Sequence, residues 1–499
     1  MLFRSSTVAL CLAYAPHGET PRLWRAGEDL PADLAAWIGD DTVEVHAHNA
    51  AFEKVIWQHV MVARHGWPPI AEKRWHCTAA RCAALALPRS LSEAGVALAV
   101  PVTKDDAGRL VMMRLSKPRT PTKNNPERWH NDPAMFDTLY AYCRNDVAAE
   151  MAVHDASPDL HPRERLTWLL DQRINDRGVP IDRPAIRAAL KIEAEHTTRL
   201  EAELAELTGG EVTTGRQTTR LVKWLSQRGV DVANMTKTTV AEARKTPGLP
   251  AELDRVLEIR QQLSRASTAK FQAMEDRADG DDRIRGAHLY HGASTGRWSG
   301  QGVQFQNIPR GGLTPADLPV AIDAVKTGSA DVLAMLYGNV AAPLTGVIRS
   351  MVKAPAGSRL LVCDFAGIEA RVLAWHADET KLLDTFRTGG DVYKVAAGDI
   401  YNVAPSQVTK DQRQLGKVAV LGLGYGMGAG KFIATAAAYG ITIDEAFSRN
   451  VVDIYRSANS KIRNFWYELG DAAMDAALGG QRAINKLRLY REGRFLFIE

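Results

Sequence analysis

The apolar spacing of this chain changes twice, at a domain boundary marked by Pro158 and His161-Pro162 and again near Arg283, which divides it into three stretches of different texture. Residues 1–155 alternate short strand-like runs, Val8–Ala15 and Thr42–His48, with helical patterns, as in a layered α/β fold. Inside that region the polar, proline-bearing stretch Ser116–Pro133 reads as a long loop. From Glu164 to about Met274 the pattern is helical. Leu166, Leu169, Leu170 and Ile174 share one spacing, Leu200, Leu204 and Leu207 another, and Gly209-Gly210 ends the second helix. Beyond Arg283 short strands and glycine-rich turns take over, and residues 410–440 return to helix. A length of 499 residues predicts two to four domains, because single cores stop growing near roughly 250–300 residues.

Composition narrows the function classes only slightly. The chain is 45% hydrophobic and 24% charged, with a formal charge of +4. That balance permits a nucleic-acid partner without requiring one, since clustering decides. Such a cluster exists: Arg216, Arg220, Lys223, Arg228, Lys237 and Arg244 alternate with threonines, as either a solvated face or a grip on phosphates. Five scattered cysteines form no C-x-x-C pair, so neither a zinc site nor a disulfide framework is expected, and His76-Cys77 with Cys82 reads as buried or incidental. A reducing cytoplasm is the natural setting. Arg4, the apolar run Val8–Leu12 and Ala13-Tyr14-Ala15 imitate a short signal peptide, but the run fits a buried strand better. No apolar run of 18 residues is present for a membrane helix.

Three segments carry chemistry. In Leu360–Arg371 (LLVCDFAGIEAR) an apolar strand is predicted to end in Asp364, delivering a carboxylate to a sheet edge where a hard cation binds oxygen. Glu369 and Arg371 follow on a helical turn; the plain alternative is an acid capping that turn. In the second segment Arg413, Lys417, Leu421 and Tyr425 recur every four residues and so fall on one stripe of a predicted helix. Two cations followed by an apolar residue and a ring suit a triphosphate whose base and sugar lie toward the far end. The glycines from 422 to 430 do not make a phosphate loop. Tyr425 stands at the first glycine of the Walker pattern ending in Gly430-Lys431, and Phe432 at its Ser/Thr. The third segment joins Ser294-Thr-Gly-Arg297 to Gln306-Asn307-Ile-Pro-Arg310, polar side chains beside glycine turns that can approach a duplex closely.

Taken in chain order, these segments resemble the T-G-R…Q-N-I-P segment, motif A and motif B of family A DNA polymerases, in the phage and prophage branch. The resemblance implies an α/β and α+β multidomain fold: a ribonuclease H-like exonuclease domain followed by a right-hand polymerase with helical thumb, palm sheet and helical fingers. It divides the chain into an exonuclease-like domain at 1–158, helical linker and thumb at 159–280, palm at 281–378, fingers at 379–450 and a return to the palm at 451–499. It implies template-directed addition of deoxynucleoside triphosphates to a primer, with magnesium. Asp364 matches the first catalytic, metal-binding aspartate, and Glu369 the acid that packs near the sugar. Arg413 and Lys417 match the triphosphate pair and Tyr425 the ring beside the templating base, while Arg371, Tyr393 and Leu421 complete the nucleotide set. Arg297, Gln306, Asn307 and Arg310 would follow the primer–template, and Arg216, Arg220 and Lys223 would grip phosphates at the thumb tip. Leu421 replaces the usual aromatic residue against the sugar and Tyr393 the common histidine, as in phage-like members.

In the front region His48-Asn49-Ala-Ala-Phe-Glu53 resembles the second exonuclease motif, with Glu53 where aspartate is usual, and Tyr142-Cys-Arg-Asn-Asp146 the third. No D-x-E of the first motif precedes Asn49 and no H-D-E of motif C follows motif B. The expectation is a chain truncated at both ends, unable to proofread and weak or inactive in addition, since the second ion of a two-magnesium site would lack its carboxylate. Two other readings stand beside it: a non-catalytic DNA-binding remnant of a decayed prophage, and a subunit completed by another chain. Partners expected are primer–template DNA and deoxynucleoside triphosphates, with no membrane.

Overall fold

A computed structural model describes residues 7–499 apart from 102–104, 124–125, 265–268 and 310, so Arg4 and Arg310 lie outside the described residues. The chain divides into two compact units, Met1–Leu360 and Leu361–Glu499.

The first unit opens with the expected strand, here β1 (Cys11–Tyr14), paired antiparallel with β2 (Arg22–Arg25). β3 (Val45–Ala47) lies parallel to β4 (Trp75–Cys77), with His46 opposite His76. Burial pushes both imidazoles down, His76 to about 4 with the Arg165 guanidinium adding to the effect. α1 (Ala51–Ile56) runs on into a π-helical turn, Trp57–Val62. Trp24, Trp57, Trp67 and Trp75 are the bulk of the core here, and Trp67 meets Trp24 and Trp57 edge to face. α2 (Pro133–Asp155) starts at Asp132, whose side chain accepts from the Ala134 N–H, with proline in the first turn. The polar stretch before it is largely irregular, as expected.

α3 (Pro162–Arg177) corrects part of one expectation: of the stripe named, Leu169 is buried beside Trp168, while Leu166 and Leu170 are exposed. α4 (Arg183–Leu207) ends as read, with Gly209 and Gly210 at φ of 61° and 83°. Leu200 and Leu204 of α4 pack with Leu221, Trp224 and Leu225 of α5 (Thr218–Ser226) and Val256 and Leu257 of α6 (Ala251–Leu263). A short hairpin, β5 (His288–Leu289) with β6 (Ser299–Gly300), follows. Among the described residues no single helix is long and apolar enough to cross a membrane. One pair bent by 99°, Ala330–Tyr337 and Ala341–Met351, passes by length and composition; Leu333, Leu344, Val347, Ile348 and Met351 of it are buried in one core, while Met335 and Leu336 are exposed.

The second unit is built from α7 (Ile368–His376), α8 (Val392–Tyr401), α9 (Lys410–Leu423), α10 (Glu445–Ala458) and α11 (Ser460–Ala477). They are followed by a meander of β7 (Gln481–Ile484), β8 (Leu487–Glu492) and β9 (Phe495–Ile498). The strand expected at Leu360–Asp364 is not formed. These residues are irregular, Val362 is 93% exposed, and no described strand pairs with them. Apolar β-formers make a strand only when a neighbour takes their backbone groups.

Candidate functional site

Helix α9 organises the second unit. Thr409 begins it with a capping box, its hydroxyl accepting from the Gln412 N–H while the Gln412 side chain accepts from the Thr409 N–H. Its buried side carries Leu415, Val418, Ala419, Val420 and Leu423, packed with Val451, Val452 and Tyr455 of α10. Arg413, Lys417 and Leu421 are half-buried along the other edge, as their spacing requires. Tyr425 departs from the expectation. The helix stops at Leu423 among its glycines, and Tyr425 sits in the turn beyond, 62% exposed, its N–H donating to the Gly422 carbonyl. That turn is held by Trp466 of α11, whose indole N–H donates to the Gly424 carbonyl at 2.9 Å.

Gly416 lets α8 approach. A Cβ there would stand 2.2 Å from the Tyr393 carbonyl oxygen and 3.0 Å from Ala397, so only glycine fits. The approach sets Tyr393 beneath the Arg413 guanidinium, 5.2 Å from ring centre to Cζ. It also brings Asp391, which caps α8, to 2.6 Å from Arg413 Nε. Burial pushes the Asp391 carboxyl up, yet the Arg413 bond and the N–H groups of Lys394 and Tyr393 outweigh it and hold the group below the usual carboxylate range. Sequence spacing gave no sign of this partner, which lies 22 residues before Arg413.

Gly367 of the first motif comes near Tyr393 of this edge. Gly367, left-handed at φ 61°, opens α7, and a Cβ there would lie 3.6 Å from Phe386 and 3.9 Å from the Tyr393 hydroxyl. Arg371 turns back to donate to the Ala366 carbonyl at 2.8 Å and stacks 4.1 Å over Phe386. Glu369, in the first turn of α7, is half-buried. Asp364 is exposed. Its carboxylate suits magnesium, which prefers oxygen ligands. No group of three His, Cys, Asp or Glu ligand atoms gathers around it among the described residues.

In the first unit, Arg297 is exposed on the turn between β5 and β6. Gln306 reaches His288 Nδ1 at 3.2 Å, and Asn307 donates to the Gln304 side chain at 2.9 Å; both are exposed. Gly300 makes room for Gln306, whose Oε1 would be 2.2 Å from a Cβ at that position. Arg216, Arg220 and Lys223 are exposed at and along α5, opposite its buried Leu221, Trp224 and Leu225. Two members of the basic stretch are occupied otherwise: Arg228 stacks 3.9 Å over Trp224, and Arg244 forms a two-pronged pair with Asp254 at 2.7 and 3.1 Å.

Comparison with known proteins decides the family. The family model described as DNA polymerase family A matches residues 190–488. A DNA polymerase of Bacillus phage SP02 is 34% identical over 459 residues, 90% of this chain and 69% of that protein. The chain belongs to DNA polymerase family A. A thermostable DNA polymerase I of Thermus thermophilus is 25% identical over 302 residues, 57% of this chain and 32% of that protein. The polymerase domain of Pol1 from M. smegmatis, solved with a DNA primer-template and dNTP, superposes with a TM-score of 0.54 at 17% identity, over 92% of this chain and 71% of that one. It shares the fold.

The family model does not reach the front of this family A chain, where a second group of acids is buried. Tyr142 and Asp146 lie on α2, and Asp146 accepts a hydrogen bond from the Tyr142 hydroxyl. Burial, then the Asp146 charge, pushes that hydroxyl up. Glu53 of α1 has a buried Oε2 with no hydrogen-bond partner, and burial raises its carboxyl to about 8. Asn49, left-handed at φ 71°, is exposed just before α1. Glu150 belongs to the same group: it is buried, raised to about 7 by burial, and it raises Glu53 in turn. The signal for it was in the sequence, since Tyr142, Asp146 and Glu150 recur every four residues on one helix face.

Proposed function

We propose that this chain acts on primer–template DNA as a DNA-directed DNA polymerase, with deoxynucleoside triphosphates as the second substrate. The observation that carries the reading is the edge of α9, where Arg413 and Lys417 lie one turn apart beside Tyr393, with Leu421 and the exposed Tyr425 at the far end. Cations so spaced bind a triphosphate through charge-assisted hydrogen bonds, and an aromatic and apolar end accepts base and sugar. Arg371 and Glu369 stand at the sugar end of this edge in the proposal. Arg297, Gln306 and Asn307 follow the duplex, while Arg216, Arg220 and Lys223 hold backbone phosphates without reading sequence. The proposed division keeps an exonuclease-like, ribonuclease H-like region at 1–158, thumb at 159–280, palm at 281–378, fingers at 379–450 and a return to the palm at 451–499.

Divalent-metal dependence is general in the family. In the proposed site Asp364 holds magnesium, which supplies charge stabilisation at the transferring phosphoryl group when bound. A two-ion arrangement needs a further carboxylate. A second reading, in which the chain holds DNA and nucleotide but does not join them unaided, rests on the exposed Asp364 standing outside any group of three ligand residues among the described residues.

Primer extension with magnesium and all four deoxynucleotides, run beside a duplex-binding titration, separates the two. Extension establishes a complete metal site. Duplex and nucleotide binding without extension leaves the holding role alone, and loss of both removes the proposal.

A further inference from the structure

Strand geometry assembles a second, unrelated donor set in the first unit. Side chains two apart on a strand share a face, so Glu44 and His46 point the same way at the start of β3. Parallel pairing then sets His76 of β4 directly across from His46, the two rings stacked 4.6 Å apart at 19°. Glu44 bridges them: one carboxylate oxygen is 3.3 Å from His46 Nε2 and the other 3.5 Å from His76 Nε2. All three ligand atoms fall within 4.8 Å of one another.

We propose that Glu44, His46 and His76 form a binding site for one divalent first-row transition metal ion, with zinc as the reference case. Ligand–metal distances of about 2.0–2.1 Å in a tetrahedral site place neighbouring ligand atoms about 3.4 Å apart, which is the separation of the carboxylate from each ring nitrogen here. Two imidazoles and one carboxylate suit zinc and its neighbours, whereas magnesium and calcium take oxygen ligands. Three protein ligands leave a fourth position for water. Two cations lie near the triad, and both are engaged elsewhere. Arg81 bonds the His154 and Ser157 carbonyls and pairs with Asp159, and Arg165 donates to the Lys73 carbonyl and stacks over Trp168. A neighbouring triad, His17, His154 and Asp155, is the weaker candidate. His17 and Asp155 are 63% and 59% exposed, and His154 Nδ1 faces Arg81 at 3.2 Å.

The test is zinc titration of the full chain, freed of metal by chelator and held in excess magnesium, read by calorimetry and by melting temperature. One equivalent should bind and raise the melting temperature. His76→Ala and Glu44→Gln should each weaken binding by about tenfold or more and abolish the zinc-dependent rise. Glu44 is an exposed side chain (61%), so its replacement tests the site without threatening the fold. Cobalt should give a visible absorption spectrum that His46→Ala removes. No binding by the unaltered chain, undiminished binding by the Glu44 and His76 variants, or loss confined to His17→Ala would each overturn the assignment.

Discussion

Arg413 and Asp391 are joined at 2.6 Å, and the carboxylate that pairs with the guanidinium also caps the helix carrying Tyr393. The free protein therefore holds its proposed phosphate ligand against an internal anion. An incoming triphosphate must compete with that carboxylate or recruit the guanidinium's remaining N–H groups.

Asp391→Asn keeps a capping oxygen and removes the competing charge. Nucleotide affinity in the absence of DNA should rise by several-fold, measured by displacement of a fluorescent triphosphate. Asp391→Ala should also lose about 1 kcal/mol of stability with its cap. Unchanged affinity in the asparagine variant means that the pair does not gate the guanidinium.

Lys417→Ala removes one charge-assisted hydrogen bond, worth about 1.5–3 kcal/mol. Triphosphate affinity should fall by roughly ten- to a hundredfold, with duplex affinity unmoved. Equal nucleotide binding by the variant would take the stripe out of the nucleotide site.

Gly416→Ala places a methyl group 2.2 Å from the Tyr393 carbonyl oxygen. Overpacking of this kind costs about 1–3 kcal/mol, so the denaturation midpoint should drop and nucleotide binding weaken with it. A wild-type midpoint would mean that α8 and α9 separate freely.

Replacing Arg216, Arg220 and Lys223 together with alanine should lower duplex affinity uniformly across sequences. The slope of log affinity against log salt should shallow by about one for each backbone phosphate left without its cation. A slope unchanged by the triple variant would reassign this face to solvent.

Glu53 is raised by burial from 4.5 to about 8. A carboxyl raised on folding leaves stability intact below its unfolded value and erodes it as pH climbs toward the folded value. The window here is therefore about 4.5 to 8. Glu53→Gln should flatten that decline and raise the melting temperature at pH 8.5, by a free energy on the order of a few kcal/mol, with little change at pH 5. Parallel pH profiles for the two proteins would show that Glu53 ionises without cost.

Local periodicity made much of this legible in advance. The half-exposed run of Arg413, Lys417 and Leu421 follows from the helical repeat alone, and so does the stop of α4 at its glycine pair. What pairing or packing decides was not. Leu360–Asp364 has the composition of a strand, but its backbone finds no described neighbour. Tyr425 keeps the spacing of the stripe and leaves the helix because glycines on either side of it favour a turn. The meeting of Asp391 with Arg413 waits on two helices touching, and that of His46 with His76 on two strands aligning 30 residues apart.

The missing side chain at Gly416 has a mechanical meaning. With a carbonyl oxygen lodged where a methyl group would be, α8 and α9 meet backbone to backbone at this point, and close-packed contacts of this kind transmit strain from one helix to the other. Tyr393 travels with Arg413. An aromatic probe placed on α8 would thus register the arrival of a phosphate on α9, and the pair could serve as a built-in reporter of nucleotide occupancy.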